Sequence, residues 1–321
     1  MKAIVYDKYG PPNMLKLKEI DKPIPGNNEV LIKVHAATVN RTDCARLRAR
    51  PFIMRFITGM FKPKNPIPGT DFAGKVEAIG KNVTLFKVGD KVFGFDDNGL
   101  SSHAQYMAIS EKNALGKIPD NITYEQAAAS IEGAHYAYNF INKFNFEKRQ
   151  KVLINGATGA IGSAALQLLK YFGASVTAVC EGKNKSLVKS VGADKVIDYT
   201  KEDFTRCNEY FNFVFDTVGK SSFGKCKRIL KSNGVYVSSE LGYMSQNLFL
   251  ALLTPLLAGK KVVFPFPTNR LASIHLIKSL LDKGKFIPII DRKYPLEEIV
   301  EAFKYVEKGY KKGNVIITID T

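Results

Sequence analysis

Residues that bind zinc are scarce in this chain of 321 residues. It contains four cysteines and four histidines: Cys44, Cys180, Cys207, Cys226, His35, His103, His135 and His275. The cysteines form no CxxC pair, which argues against a disulfide framework and a structural zinc site. Histidines this widely spaced argue against a catalytic zinc as well. The sequence therefore predicts chemistry without a metal ion.

Long apolar runs are also missing. The longest candidate for a membrane span, LFLALLTPLLAG at residues 248–259, has 12 residues and contains Pro255, whereas a bilayer requires about 20. The first residues, MKAIVYDKYG, lack the apolar core of a secretion signal. We therefore expect a cytoplasmic protein.

Acidic residues are outnumbered, with 30 Asp and Glu against 47 Lys and Arg, for a net charge of +17. The lysines are spread along the chain and no nucleic-acid-binding motif accompanies them, so we disfavour nucleic acid as a partner. The one dense basic cluster lies in residues 44–64, whose first half can form a helix with Phe52, Ile53, Phe56 and Ile57 on one side. This helix would either cover an edge of the core or act as a lid that attracts anions. We favour the first interpretation, because amphipathic helices usually bury their apolar side.

The pattern of apolar runs changes along the chain. Up to about Leu115, short runs such as EVLIKVHAATV alternate with turns and predict a β-rich domain. Thr123 and Gln126 form a capping box before a helix over AAASIEGAHYAYNFI. Beyond it, strands of about five residues alternate with helices, which predicts an α/β class protein with a doubly wound parallel sheet.

These patterns predict two domains. The first comprises residues 1–122 and is completed by 267–321, whose last strand, NVIITID, could join its sheet. The second comprises residues 123–266 and holds the parallel sheet.

A loop with spaced glycines, NGATGAIG at residues 155–162, follows the apolar run KVLI and precedes a helix that begins at about Ala160. Loop amides and the positive end of that helix would both face an anion. Gly159 would let the backbone approach a diphosphate, and Gly162 would let the helix pack closely on the strand.

Other nucleotide and hydrolase motifs are absent. Gly219-Lys220-Ser221 ends like a phosphate-binding P-loop, but Val214 stands where the first glycine is required. There is no GxSxG motif of a serine hydrolase, and no Tyr-x-x-x-Lys pair of a short-chain dehydrogenase.

Several stretches together resemble the medium-chain dehydrogenase/reductase superfamily, in its zinc-free, quinone oxidoreductase-like (zeta-crystallin-like) branch. They are PIPGNNEVLIKV, the residues Asn40, Thr42 and Asp43, GTDFAGKVEAIGKNV with FKVGDKVFGF at 69–95, NGATGAIG, LVKSVGADKVIDY at 187–199 and KGNVII. The resemblance implies a GroES-like catalytic domain, a Rossmann domain and hydride transfer from NAD(P)H.

Zinc-dependent members of this superfamily carry a cysteine where this chain has Asn40, and a His-Glu pair where it has Thr70 and Asp71. Without a Lewis acid to polarise an alcohol or ketone, we expect hydride transfer to a quinone or to an activated carbonyl or alkene. Asn40 is our candidate for orienting the acceptor or the nicotinamide, with Thr42 and Asp43 beside it; Thr42 and Asp43 could equally cap a turn. We assign no general acid and name Tyr136 as a candidate for that role.

The resemblance also implies which residues contact the cofactor. The diphosphate would be held by Asn155, Gly156, Ala157, Thr158, Gly159, Ala160 and Ile161, and further contacts would come from Thr217, Ser238, Ser239, Leu241, Phe264 and Asn314. The residue that selects the cofactor is Cys180, small and neutral, with Lys183, Lys185 and Tyr199 placed to receive a 2′-phosphate. We therefore expect NADPH as the preferred cofactor, with NADH as the alternative that the neighbouring Glu181 favours.

Two rival functions remain open. One is an alkenal, enone or enoyl-thioester reductase, in which arginines of the segment from Arg41 to Asn65 would meet an acidic substrate such as a CoA ester. The other is a non-catalytic NADPH-binding protein of crystallin type, or one that binds RNA through its positive surface. The resemblance further implies a homodimer paired through a sheet edge at residues 260–266, KKVVFPF.

Overall fold

The computed structural model describes residues 1–52, 54–144, 146–266 and 268–320, without the side chain of Ile57. The strands are β1 (Lys2–Val5), β2 (Lys16–Glu19), β3 (Glu29–Val39), β4 (Asp71–Ile79), β5 (Lys91–Phe95), β6 (Tyr106–Ser110), β7 (Leu115–Lys117), β8 (Lys151–Asn155), β9 (Ser175–Cys180), β10 (Lys195–Asp198), β11 (Phe211–Asp216), β12 (Leu230–Ser238), β13 (Lys261–Val263), β14 (Ile290–Pro295) and β15 (Asn314–Thr318).

The α-helices are α1 (Arg41–Arg48), α2 (Met54–Thr58), α3 (Tyr124–Ala129), α4 (Glu132–Ile141), α5 (Ala160–Tyr171), α6 (Lys185–Ser190), α7 (Phe223–Cys226), α8 (Gln246–Leu253), α9 (Arg270–Asp282) and α10 (Ile299–Glu307). None of them, within the described residues, is long and apolar enough to cross a bilayer.

The described chain divides into two compact units. The first contains Met1–Glu132, Asn269–Gly284 and the chain from Pro288 onward, and the second contains Gly133–Thr268 and Lys285–Ile287. The domain bounds that the sequence suggests, 1–122 with 267–321 and 123–266, stay predictions.

The first unit is built on an antiparallel sheet. Its strand order is β14-β15-β3-β4-β5-β7, with β6 also paired to β3, and only β14 and β15 run parallel. The final strand, β15, joins β3 as the sequence analysis expects. Ile32, Val34, Phe72 and Phe303 are fully buried in its core.

The second unit carries the doubly wound sheet that the strand and helix alternation predicts. All neighbours in its order, β10-β9-β8-β11-β12-β13, are parallel. The order reverses between β8 and β11, and in such sheets ligands bind beyond the carboxyl ends of the strands at this reversal. Fold class and parallel sheet are thus confirmed.

The basic segment differs from its prediction. Two short helices form here, α1 and α2. The first ends at Arg48, because Ala49 is left-handed with φ 44° and Pro51 disfavours helix in the residue before it. Phe52 and Phe56 are 64% and 62% exposed. These two side chains therefore do not cover an edge of the core, and Ile53 lies outside the described residues.

The helix predicted from Thr123 forms as two. Its capping box is confirmed, since Gln126 N–H donates to Thr123 Oγ1 at 3.2 Å and Thr123 N–H to Gln126 Oε1 at 3.0 Å. The helix stops at Ser130, whose hydroxyl donates to the Ala127 carbonyl at 2.7 Å, and α4 begins at Glu132.

Candidate functional site

The glycine loop joins β8 to α5 at the point of strand reversal. Gly156 has φ 83°, a left-handed conformation that favours glycine. A Cβ on Gly162 would lie 2.1 Å from the Gly156 carbonyl oxygen, so only glycine lets α5 pack this closely on the loop. The predicted helix start at Ala160 is confirmed.

Gly159 has a different environment. It is the N-cap of α5, with φ −72° and ψ 170°, and no side chain caps the helix there. A Cβ on Gly159 would meet only the Gly156 carbonyl oxygen, at 3.5 Å. The space beside this residue is thus open next to the positive end of a 12-residue helix. The loop fits a diphosphate held by backbone amides.

Asp216 ties the strand ends around this loop together. Its carboxylate is fully buried and accepts hydrogen bonds from Asn155 Nδ2 and Tyr236 Oη, both at 3.0 Å. It also accepts from the backbone N–H groups of the following turn, at 3.0 to 3.3 Å: Val218, Gly219 and Ser221. Three neighbouring strands, β8, β11 and β12, therefore end in one hydrogen-bonded unit. The sequence analysis did not single out Asp216, although its place before Thr217 at the end of an apolar strand was a usable signal.

The other predicted cofactor residues of the second unit lie at or after these strand ends. Thr217 Oγ1 donates to the Asn155 carbonyl at 2.8 Å, and Ser239 N–H donates to the Asp216 carbonyl at 3.1 Å. Leu241 follows β12, and Phe264 follows β13 and stacks edge-to-face on Phe266.

Asn314 lies in the first unit, where its amide donates to the Ile289 carbonyl at 3.0 Å.

The end of β9 holds the residues expected to select the cofactor. Cys180 is buried. Burial raises the pKa of its thiol to about 11, and the negative charges of Asp198 and Glu181 contribute to this rise. Lys183 pairs with Glu181 at 2.7 Å. Lys185 begins α6, and the Tyr199 side chain is exposed. A lysine and two carboxylates therefore surround a neutral thiol.

A second polar cluster lies in the first unit, around Glu132. The carboxylate of Glu132 accepts hydrogen bonds from Asn40 Nδ2, Thr42 Oγ1 and Thr70 Oγ1, each at 2.7 Å. Glu132 is 5% exposed. It was missed from the sequence, where an acid within the apolar stretch AAASIEGAHYAY was the available signal.

Asp71 and Asp43 complete this cluster. Asp71 accepts from the Thr38 N–H at 2.7 Å and from Asn40 Nδ2 at 3.2 Å. Asp43 Oδ2 accepts from the Asn40 N–H at 2.8 Å, which makes Asp43 a capping residue of α1. Burial and the neighbouring Glu132 raise the pKa of Asp71 to about 7.

The structure thus brings Asn40, Thr42, Asp43, Thr70 and Asp71 together. Among the described residues, no group of three or more His, Cys, Asp or Glu is arranged to hold a metal ion. Tyr136 lies in α4, in the second unit, with its ring edge-on to His135 at 5.6 Å.

Comparisons with known proteins agree with this architecture. Residues 26–120 match the alcohol dehydrogenase GroES-like domain family, and residues 191–317 match the zinc-binding dehydrogenase family. The chain is 33% identical to 2-methylene-furan-3-one reductase of Solanum lycopersicum, over 99% of this chain and 79% of that protein. It is 31% identical to the chloroplastic NADPH-dependent alkenal/one oxidoreductase of Arabidopsis thaliana, with the same coverage. The solved quinone oxidoreductase of Coxiella burnetii superposes with a TM-score of 0.86 at 26% identity, over 100% of this chain and 99% of that one.

Proposed function

The chain belongs to the medium-chain dehydrogenase/reductase superfamily, and we propose that it is a zinc-independent reductase that uses NADPH to reduce a quinone or an activated alkene or carbonyl. The observation that carries the proposal is the cluster around Glu132. At the positions that zinc-dependent members use for metal ligands, Asn40 and Thr70 are hydrogen-bond donors committed to one carboxylate. The named relatives reduce acceptors of the proposed kind.

In this proposal the loop at 155–162 binds the cofactor, which when bound supplies the hydride. Gly159 leaves room for the diphosphate, Gly162 sets the close approach of α5, and Asp216 fixes Asn155 and the following turn. Asn40 and Thr42 orient the acceptor, because their side chains are held by Glu132 before any ligand arrives. Asp43 supports them by capping α1.

The acceptor is an uncharged quinone or enone and not a CoA ester. Three of the five arginines in residues 41–65 are already engaged, and the first of them, Arg46, donates to the Asp97 and Asn98 carbonyls at 3.0 and 2.7 Å. Arg48 Nη2 donates to Glu307 at 2.7 Å, and Arg55 lies over the Tyr9 ring. An acidic substrate would have to displace these partners.

An acceptor panel tests the function. NADPH oxidation is measured with quinones, enones, alkenals and an enoyl-CoA, with and without a chelator. We expect turnover of quinones or enones that the chelator does not change. NADPH binding with no turnover, together with salt-dependent RNA retention, would favour the non-catalytic alternative.

Cofactor preference depends on Lys183. We expect a lower Michaelis constant for NADPH than for NADH. Lys183→Ala should raise the Michaelis constant for NADPH roughly five- to tenfold, because a charge-assisted contact to the 2′-phosphate is lost. The Michaelis constant for NADH should stay unchanged. Lys148→Ala, an exposed lysine before β8, is the matched control. A preference for NADH, in agreement with Glu181, would contradict the assignment.

We also propose a homodimer that pairs through β13, the outer strand of the second unit's sheet. Residues 241–259 near it carry no charge, and Phe249, Leu252 and Leu256 are exposed. Light scattering should give twice the chain mass, and Leu256→Asp should yield monomers. Leu85→Asp, at an exposed leucine of the first unit, should stay dimeric. A monomeric wild type would refute the pairing.

Cytoplasmic location stays a prediction, and the Arabidopsis relative is described as chloroplastic.

A further inference from the structure

Glu132 is a buried carboxylic acid whose two oxygens have different partners. Oε2 accepts from the Asn40 amide and from the Thr70 hydroxyl, whereas Oε1 accepts from the Thr42 hydroxyl. An amide NH₂ only donates, but a hydroxyl can donate or accept. A proton on Oε1 can be accepted by the Thr42 hydroxyl, while Oε2 goes on accepting from the Asn40 amide.

Thr42 is the member of this cluster that reaches the surface. Glu132, Asn40 and Thr70 are buried, while Thr42 is partly exposed. A proton on Oε1 can thus leave by way of the Thr42 hydroxyl, 2.7 Å away. The Asn40 amide keeps the carboxyl group in place from its other side.

The burial of Glu132 favours its protonated form. Burial raises the pKa of Glu132. The opposing effects come from the hydrogen bonds that Thr70, Thr42 and Asn40 donate and from the nearby Lys311. Asp43 on α1 and Asp71 on β4 add like charge, and the pKa of each is itself raised by burial and by Glu132.

The other titratable groups facing the cluster change this little. Burial lowers the pKa of Lys311, and the facing carboxylates of Glu132, Asp71 and Asp291 oppose this effect. Arg46 and Cys44 face Asp43, and burial raises the pKa of the Cys44 thiol, so it stays neutral. His103, bonded to the Thr38 carbonyl, has its pKa lowered to about 4 by burial and is neutral as well.

We propose that Glu132 supplies, through the Thr42 hydroxyl, the proton that completes reduction of the acceptor. This inference rests on the proposed function. The acceptor gains a hydride, with its two electrons, from the nicotinamide cofactor, and an electron pair moves onto the acceptor's carbonyl oxygen. That oxygen takes the proton of Thr42 as the Thr42 O–H bond breaks. The Thr42 oxygen takes the proton of Glu132 Oε1, which leaves a carboxylate that solvent protonates again through Thr42.

Three variants test the relay in steady-state kinetics. Glu132→Gln keeps the shape but carries no acidic proton, and we expect kcat to fall roughly a hundredfold with KM little changed. The wild-type kcat should decline as pH rises through the pKa of Glu132, because the acid form is required, and this decline should vanish in Glu132→Gln. Thr42→Val should lower kcat similarly, and Thr42→Ser should restore it.

A measurement without cofactor reads the proton on Glu132 directly. The pKa of Glu132 is raised in the folded state. The protonated carboxyl group therefore contributes its full stabilisation at low pH, and this contribution is lost as pH rises through that pKa. The free energy of unfolding of wild type should therefore fall with rising pH relative to Glu132→Gln. Thr42→Val keeps the carboxyl group and should show a fall of the same sign, although the lost hydrogen bond shifts the pKa of Glu132 further up. Equal pH dependence in wild type and Glu132→Gln, or an unchanged pH profile of kcat, would overturn the inference. Inactivity of wild type on every acceptor would instead overturn the proposed function.

Discussion

Gly162→Ala is expected to lose most of its NADPH affinity and to unfold more readily. The added methyl group would lie 2.1 Å from the Gly156 carbonyl oxygen and 2.9 Å from the Cα of Ala157, and both are backbone atoms that cannot turn aside. Helix α5 must then move off the loop, and overpacking of this kind costs about 1–3 kcal/mol. The same shift would misplace the amides that hold the diphosphate.

Gly159→Ala is the matched control, because it separates stability from binding. The backbone of Gly159 has φ −72°, which suits alanine, and the nearest contact of the added methyl group would be 3.5 Å away. We expect a stability change below about 1 kcal/mol but at least a roughly tenfold weaker Kd for NADPH, since the methyl group would enter the open space. Chemical denaturation and cofactor fluorescence titration measure the two effects. Full NADPH affinity in Gly159→Ala would place the diphosphate elsewhere.

Asp216→Ala is expected to be the most destabilising substitution at the strand ends. It removes the acceptor of five hydrogen bonds and leaves Asn155, Tyr236 and three backbone N–H groups without it. The donors of Asn155 and Tyr236 are buried, and a buried donor left unsatisfied costs about 1–3 kcal/mol, so we expect a loss of about 3 kcal/mol.

Tyr236→Phe is the control for Asp216→Ala, because it deletes a single donor to the same carboxylate and should cost about 1 kcal/mol. Asp216→Asn keeps the volume but turns an N–H group toward donors, and should raise the KM for NADPH more than it lowers kcat. Thermal and urea unfolding measure the stability changes. Steady-state kinetics measure the changes in KM for NADPH and in kcat. Equal losses in Asp216→Ala and Tyr236→Phe would show that the carboxylate does not organise the strand ends.

The parts of this fold that the sequence predicted rest on local patterns. The parallel sheet follows from the regular alternation of apolar strands and helices, and the loop at 155–162 carries its glycines in eight consecutive residues. The capping box at Thr123 spans only four residues, Thr123 to Gln126. Each is visible without knowing which distant residues meet.

The parts that were missed depend on long-range contacts. Glu132 meets Thr42 across 90 positions and Thr70 across 62, and Asp216 meets Asn155 across 61. No spacing rule relates such residues before the strands are placed in order. The break at Ala49 was also missed, because a left-handed alanine has no signature in composition.

The pairing of β15 with β3 has a consequence for how the chain folds during synthesis. The second unit is nearly continuous, from Gly133 to Thr268, and needs only three further residues, Lys285–Ile287. The first unit begins at Met1 and β6 pairs with β3 early, yet the end of β3 at Ala36–Val39 gains its neighbour only when Asn314–Thr318 has been made. The first unit to emerge from the ribosome is therefore the last to close, and this end of β3 keeps an open edge, a site for mispairing or chaperone binding, until the chain has been made as far as β15.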